Sequence, residues 1–261
     1  MSQSTPCITL TTDFGLADWF VGTMKGVIAN RCGKAVVIDL THGVAPGDIR
    51  AGAFALMAGC RFFPKNSVHV AVVDPGVGSG RPAIAVDARD GFFVGPDNGV
   101  LSWALRNEEV RAIHRLENAE YFRDVVSATF HGRDVFAPVA AEIANGVPVS
   151  HFGPPTDELV ELAWPEVESG AGGLRGVVLY VDRFGNAITN LPHADLPERR
   201  GLRVLHGDVE LGLTAVCYQA AGTGDPVAVP GSSGFLEIAV NGGSAAEDFG
   251  LAPGAVIDVR F

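Results

Sequence analysis

The sequence predicts an α/β protein in two parts: an N-terminal α/β layered domain with a mostly parallel central sheet, and a small C-terminal antiparallel β-barrel domain. Three observations carry this. Apolar β-rich runs alternate with helix-like segments through the first half of the chain. The strand-like runs there are near-continuously apolar, AVVIDL at 35–40 and VHVAVV at 68–73, as in a sheet covered by helices on both faces. Beyond about residue 173 only short strand-like runs remain, separated by Gly, Pro and Asp turns.

In order, residues 7–13 read as a strand, 19–31 as a helix, 35–41 as a strand, 48–62 as a helix and 67–74 as a strand. Residues 83–88 and 92–95 read as a strand pair across a turn at Asp90 and Gly91, and 135–145 (VFAPVAAEIAN) as a buried helix. The first domain is expected to span 1–152. From 153 to 173, GPPTDELVELAWPEVESGAGG accumulates Pro, Gly and acidic residues with no sustained period, which is linker chemistry. The second domain, 174–261, offers strands at 174–181, 186–191, 202–206, 209–218, 225–229, 234–240 and 255–261. No internal repeat or low-complexity tract interrupts this order.

With 261 residues, 47% of them hydrophobic and only 19% charged, the chain can bury a proper core and does not read as disordered. The N-terminal run MSQSTPCITL has no basic region before an apolar stretch, and no window approaches 18 uncharged apolar residues, so a cytoplasmic protein without a membrane partner is expected. Cys7, Cys32, Cys60 and Cys217 lack CxxC spacing and read as small core residues rather than zinc or redox ligands. A net charge of −11 and a pI near 5.0 argue against nucleic acid, whose phosphates need clustered Lys and Arg. A small, cationic ligand is easier to accommodate.

Ligands of open α/β sheets bind over the carboxyl ends of the strands, and those ends are unusually polar here. The first ends in TTDFG with Asp13, the second in DLTHG with Asp39 and His42, and the third in DPGVGSGR with Asp74 and Arg81. TFHGRD then supplies His131, Arg133 and Asp134 just before the 135–145 helix. Two roles fit Asp13: a turn or cap carboxylate, or a bidentate acceptor for two ribose hydroxyls. Asp39 and His42 fit structural hydrogen bonding better than a metal site. The loop PGVGSGRP lacks the GK[ST] of a P-loop and misses GxGxxG spacing, so its glycines read as turn residues that return Arg81 toward Asp74.

Taken together, TTDFG (11–15), DLTHGV (39–44), FFP (62–64), VHVAVVDPGVGSGR (68–81), GPDNG (95–99), TFHGRD (129–134), YVDRFGNAITN (180–190) and GSSGFLEIAVNGGSA (231–245) resemble the S-adenosylmethionine hydroxide adenosyltransferase family, the S-adenosylmethionine hydrolases related to fluorinase and chlorinase. The resemblance runs from about residue 8 to the C-terminus.

It implies that water attacks the ribose C5′ of S-adenosylmethionine and expels L-methionine, leaving adenosine, with no metal and no cofactor. The family's catalytic triad falls on Asp74, Arg81 and His131, and its substrate contacts fall on Asp13 (ribose), Phe184, Asn186, Ser232, Glu237 and the Val240 backbone (adenine side). Asp182 is placed for the methionine ammonium, one position closer to the Phe than in the halogenating relatives. A homotrimer with the site between subunits is also implied. Those halogenating relatives carry Tyr at the position of Asp74, and the fluorinase carries Thr at Val77 and Ser at Gly132. A carboxylate at 74 would repel a halide and attract water. The alternatives are a halogenase, a non-catalytic sensor of S-adenosylmethionine or adenosine, and a metal-dependent hydrolase built from Asp39, His42, Asp74 and His131.

Overall fold

A computed structural model describes residues 5–170, 172–196 and 201–261. Residues 1–4 of the N-terminal run and residue 171 of the 153–173 stretch lie outside the described residues. The chain forms two compact units, Met1–Leu162 and Ala163–Phe261.

The first unit is a three-layer α/β domain. Its strands β1 (Cys7–Thr12), β2 (Val36–Thr41), β3 (Ser67–Val72), β4 (Ala83–Ala88), β5 (Gly91–Pro96) and β6 (Val110–Arg115) form one sheet in the order β2-β1-β3-β5-β4-β6. The pairings β1 with β2, β1 with β3 and β3 with β5 are parallel, and β4 runs antiparallel to both its neighbours. Helices α1 (Phe20–Arg31) and α4 (Ala137–Asn145) cover one face, through Met24, Ile28, Val139 and Ile143 packed on Ile8, Val70 and Val94. Helices α2 (Ile49–Cys60) and α3 (Ser102–Leu105) cover the other, where Leu56, Leu101 and Leu105 meet Ala71, Val73, Ile84 and Val86. The central strands β1 and β3 are buried at every residue, as their apolar runs require.

One expectation changes here, and one strand is added. The AVVIDL run is not covered on both faces: β2 is the sheet edge, with Val36 49% and Ile38 38% exposed. An apolar run alone does not distinguish a central strand from an edge one. Strand β6, unread in the sequence, closes the other edge, its VRAIHR half-exposed and paired to β4. Residues 154–162 continue within this unit. Arg115 N–H donates to Pro154 O at 3.0 Å, Val160 N–H to Asp97 Oδ1 at 2.8 Å and Trp103 Nε1 to Leu162 O at 3.2 Å.

The second unit is an antiparallel, nearly closed β-barrel. Strands β7 (Glu168–Gly170), β8 (Gly173–Val181), β9 (Ala187–Pro192), β10 (Arg203–His206), β11 (Val209–Leu213), β12 (Pro226–Pro230), β13 (Phe235–Val240) and β14 (Val256–Arg260) run in the order β11-β10-β14-β8-β9-β13-β12, with β7 beside β8. The ends approach where Ala215 N–H donates to Ala228 O at 2.8 Å. Leu236, Ile238 and Val240 of β13 point into the core with Val178, Leu191 and Ile257, and period-2 alternation turns Glu237 to the other face.

The strand expected at 209–218 ends at Leu213. Gly212 adopts φ +95° with its Cα against the Pro226 carbonyl, where a side chain does not fit, and the chain then turns to make the Ala215–Ala228 contact. A short helix, α5 (Ala245–Phe249), also went unread, although Ser244 caps it by accepting from Glu247 N–H at 3.2 Å and Gly250 ends it in the left-handed region.

Candidate active site

Asp74 lies just past Val73 beyond the carboxyl end of the buried central strand β3, and the 75–80 turn brings the chain back so that Arg81 faces it. Arg81 Nε donates to both Asp74 oxygens at 3.0 Å, and Nη2 donates to Asp74 Oδ2. Both side chains are almost wholly buried, with 4% of Asp74 and 11% of Arg81 exposed. A buried ion pair keeps both charges only if each is fully engaged, and here the guanidinium fork meets a carboxylate edge on. Arg81 also lies over the Phe136 ring, 5.4 Å from its centre.

His131 completes the arrangement: its Nδ1 lies 2.8 Å from Arg81 Nη2. Guanidinium has no acceptor, so this contact makes Nδ1 the acceptor and leaves the proton on Nε2. His131 immediately precedes a π-helical turn, Gly132–Phe136, that leads into α4, and such turns are frequent at functional positions. Burial, and then the Arg81 charge, hold the His131 pKa below the ordinary histidine value. A cavity of about 340 Å3 opens beside Arg81 and His131, walled by Pro82, Leu116, Phe122, Val126 and Val135.

Gly132 leaves little room for anything larger. A Cβ there would stand 3.3 Å from Met24 Sδ and Phe130 Cε2 and 3.4 Å from Phe14 Cε2.

Asp13 follows β1, and its Oδ2 accepts the Gly47 N–H at 2.8 Å, which holds the carboxylate at the strand end. Beneath it, Thr12 Oγ1 contacts His42 Nδ1 at 2.7 Å, and Gly15 N–H donates to His42 O at 2.9 Å. His42 Nε2 lies 2.9 Å from Asp39 Oδ1, close enough for charge but poorly aligned for a hydrogen bond, and Lys25 pairs with Asp39 at 2.6 Å. Asp39 and His42 thus brace the β1 and β2 ends, the structural role their sequence context suggested. Among the described residues no cluster of three or more His, Cys, Asp or Glu side chains is arranged to hold a metal.

The remaining residues belong to the barrel unit. Asp182 shapes the FGN loop: Oδ1 accepts from Phe184 N–H (2.8 Å) and Asn186 N–H (2.9 Å), and Oδ2 from Asn186 Nδ2 (3.1 Å). Phe184 is thrust outward at 76% exposure while Asn186 is buried. Ser232 is exposed in the β12–β13 turn, and the Val240 carbonyl accepts the Gly243 N–H at 3.1 Å.

Glu237 is buried, and burial together with the Asp182 charge raises its pKa against the opposing hydrogen bond from Tyr218. That bond, Tyr218 OH to Glu237 Oε1 at 2.5 Å, gives Glu237 a partner that sequence reading missed. Tyr218 was absorbed into an expected strand, and only the turn that follows β11 brings its hydroxyl to Glu237.

Family models for the SAM hydroxide adenosyltransferase N-terminal domain and C-terminal domain match residues 8–153 and 176–258. The chain belongs to the SAM hydroxide adenosyltransferase family. Within this family it is 45% identical, over 96% of both chains, to a protein of Salinispora arenicola named (R)-S-adenosyl-L-methionine hydrolase. A fluorinase of an Actinoplanes species is more distant, at 27% identity over 99% of this chain and 98% of its own. The crystal structure of an uncharacterized conserved protein from Thermotoga maritima superposes with a TM-score of 0.90 at 36% identity, covering 97% of this chain and 99% of that one. The segments 74–81 and 129–134, which build the Asp74–Arg81–His131 contacts, both lie within the range matched by the N-terminal domain model.

Proposed function

We infer that this chain is an S-adenosyl-L-methionine hydrolase that forms adenosine and L-methionine. The observation that carries the reading is the buried Asp74–Arg81 pair with His131 held against it, in a chain so similar to named hydrolases. Sulfonium leaves without protonation, so catalysis must come from aligning and polarising the nucleophile. Water oxygen bonds to C5′ as the C5′–S bond breaks, and the bonding pair stays on sulfur as neutral methionine thioether.

Because Nδ1 accepts from Arg81, His131 offers water only its Nε2–H, and the proton that water sheds is directed to Asp74. Arg81 holds the Asp74 carboxylate in place through its Nε donation to both oxygens. Asp13 takes the ribose hydroxyls; Phe184, Asn186, Ser232, Glu237 and the Val240 backbone receive adenine. Asp182, after serving its own loop, faces the methionine ammonium. No cofactor is needed, since the substrate arrives activated.

In the finer reading, residues 1–152 supply the triad and Asp13, residues 174–261 supply the rest, and 153–173 join them. The protein works in the cytoplasm as a homotrimer whose sites draw these groups from different copies. No helix among the described residues is long and apolar enough to cross a membrane.

A halogenase would need anion-binding donors where the buried carboxylate stands, and at Gly132 even a Cβ would press on Met24 and Phe130. The test is Asp74→Ala in the full-length protein. Methionine release from S-adenosylmethionine should vanish while adenosine still binds with wild-type affinity. Turnover near the wild-type rate would overturn this assignment of the reaction centre.

A further inference from the structure

The HGRD segment carries two ionised residues, Arg133 and Asp134, that the reaction does not use directly. Asp134 is completely buried within the π-helical turn that begins after His131. Its carboxylate accepts from Arg133 Nε (2.7 Å) and Nη2 (2.8 Å), from Arg123 Nη1 (3.4 Å) and from the Ser127 backbone N–H (2.9 Å). Its carbonyl accepts the Arg123 N–H at 3.0 Å. Burial alone would favour the neutral acid, but these donors outweigh it and hold the pKa below the ordinary carboxylate value. One residue therefore ties down the 123–127 strap at both ends.

The strap reaches the other half of the triad. Ala128 closes on Gly78 so tightly that a Cβ at 78 would collide with the Ala128 carbonyl, and Gly78 lies in the 75–80 turn that delivers Arg81. Ser127 Oγ and Thr129 Oγ1, 3.1 Å apart, stiffen the two residues before Phe130 and His131.

We propose that Asp134 is a positioning residue: by anchoring the 123–128 strap against the 75–80 turn it sets the contact between Arg81 and His131. This rests on the hydrolase reading only for its effect on turnover. The contact itself is a property of the folded chain.

The experiment is an imidazole 1H–15N titration of the labelled full-length protein, with His131 assigned through His131→Asn. The ionisable groups facing His131 are Arg81 and Asp74 from the 74–81 segment and Asp134 from its own helix. Arg81 lowers its pKa and Asp134 raises it. Asp134→Asn thus has opposite consequences under two roles. If Asp134 acts only through its charge, the His131 pKa falls further. If it positions the strap, the ring loses Arg81 and burial, and the pKa climbs toward the ordinary histidine value.

We expect the climb, and a smaller one in Ser127→Pro, which removes the N–H bond to Asp134 and the Ser127 Oγ bonds to Thr129 while leaving the Asp134 charge. A fall or no change in a folded Asp134→Asn protein overturns the proposal. If that variant does not fold, an unmoved His131 in Ser127→Pro overturns it.

Turnover on the same samples separates the two readings. In Asp134→Asn, kcat should drop about 100-fold with KM nearly unchanged, as misplacing a reacting group does. A wild-type protein that releases no methionine would sink the hydrolase reading while leaving the titration to decide the positioning.

Discussion

Arg81 donates from Nη2 to His131 Nδ1 at 2.8 Å, which fixes the imidazole as the neutral Nε2–H tautomer and leaves Nε2–H as its one donor. The same guanidinium holds Asp74 through Nε and Nη2, so one side chain sets both the charge and the tautomer around it.

Arg81→Lys is therefore not conservative. An ammonium cannot span Asp74 and His131 as a fork does, and turnover should fall by about 100-fold or more while adenosine affinity stays unchanged. Steady-state kinetics beside calorimetric adenosine binding would check this. A rate within a factor of about two would show that charge alone suffices.

His69 gives the fold a specific acid sensitivity. It is buried in β3 with Nδ1 2.8 Å from Thr9 Oγ1, and burial lowers its pKa from 6.5 to about 4. The unfolded chain takes up this proton near pH 6.5, whereas the folded one refuses it until about 4. Stability is therefore lost as pH falls through this window, by on the order of 3 kcal/mol in full. Urea unfolding of wild type and His69→Gln across pH 7 to 4 would test it, the variant showing the flatter dependence.

Tyr218 shields a buried carboxylate. Tyr218→Phe removes the donor at 2.5 Å from Glu237 Oε1 and leaves that oxygen without it. The expected cost is about 1–3 kcal/mol of stability, with a higher Glu237 pKa and weaker adenosine binding. Thermal unfolding with calorimetry reads both. Unchanged affinity would separate Tyr218 from the adenine side.

Much of this was legible in the sequence, for reasons that particular residues illustrate. The D-x6-R spacing from Asp74 to Arg81 survives folding because β3 is a buried central strand and the turn between them is short and glycine-rich. What pattern reading missed depends on non-local geometry. Val36 and Ile38 look like buried strand residues until the sheet order leaves β2 at an edge. Likewise, the tautomer of His131 follows from a π-helical turn and a guanidinium 50 residues away, neither of which has a periodic signature. Tyr218 joins Glu237 only after the chain leaves β11 at Leu213 and turns.

In the proposed trimer, Asp74→Ala and Asn186→Ala chains are each inactive but complementary. Co-expressed, they should recover a fraction of wild-type turnover at sites that draw intact groups from both. No recovery in verified mixed oligomers would mean that each site is built from a single copy.

The account stands on water as the nucleophile at C5′. Incubating the full-length protein with S-adenosylmethionine in 18O-water, with chloride and chelator varied, and weighing the nucleoside by mass spectrometry tests that directly. The account predicts adenosine carrying one 18O at the 5′ position, equimolar with methionine and indifferent to both additives. A 5′-halogenated nucleoside, unlabelled adenosine or a requirement for metal would contradict it.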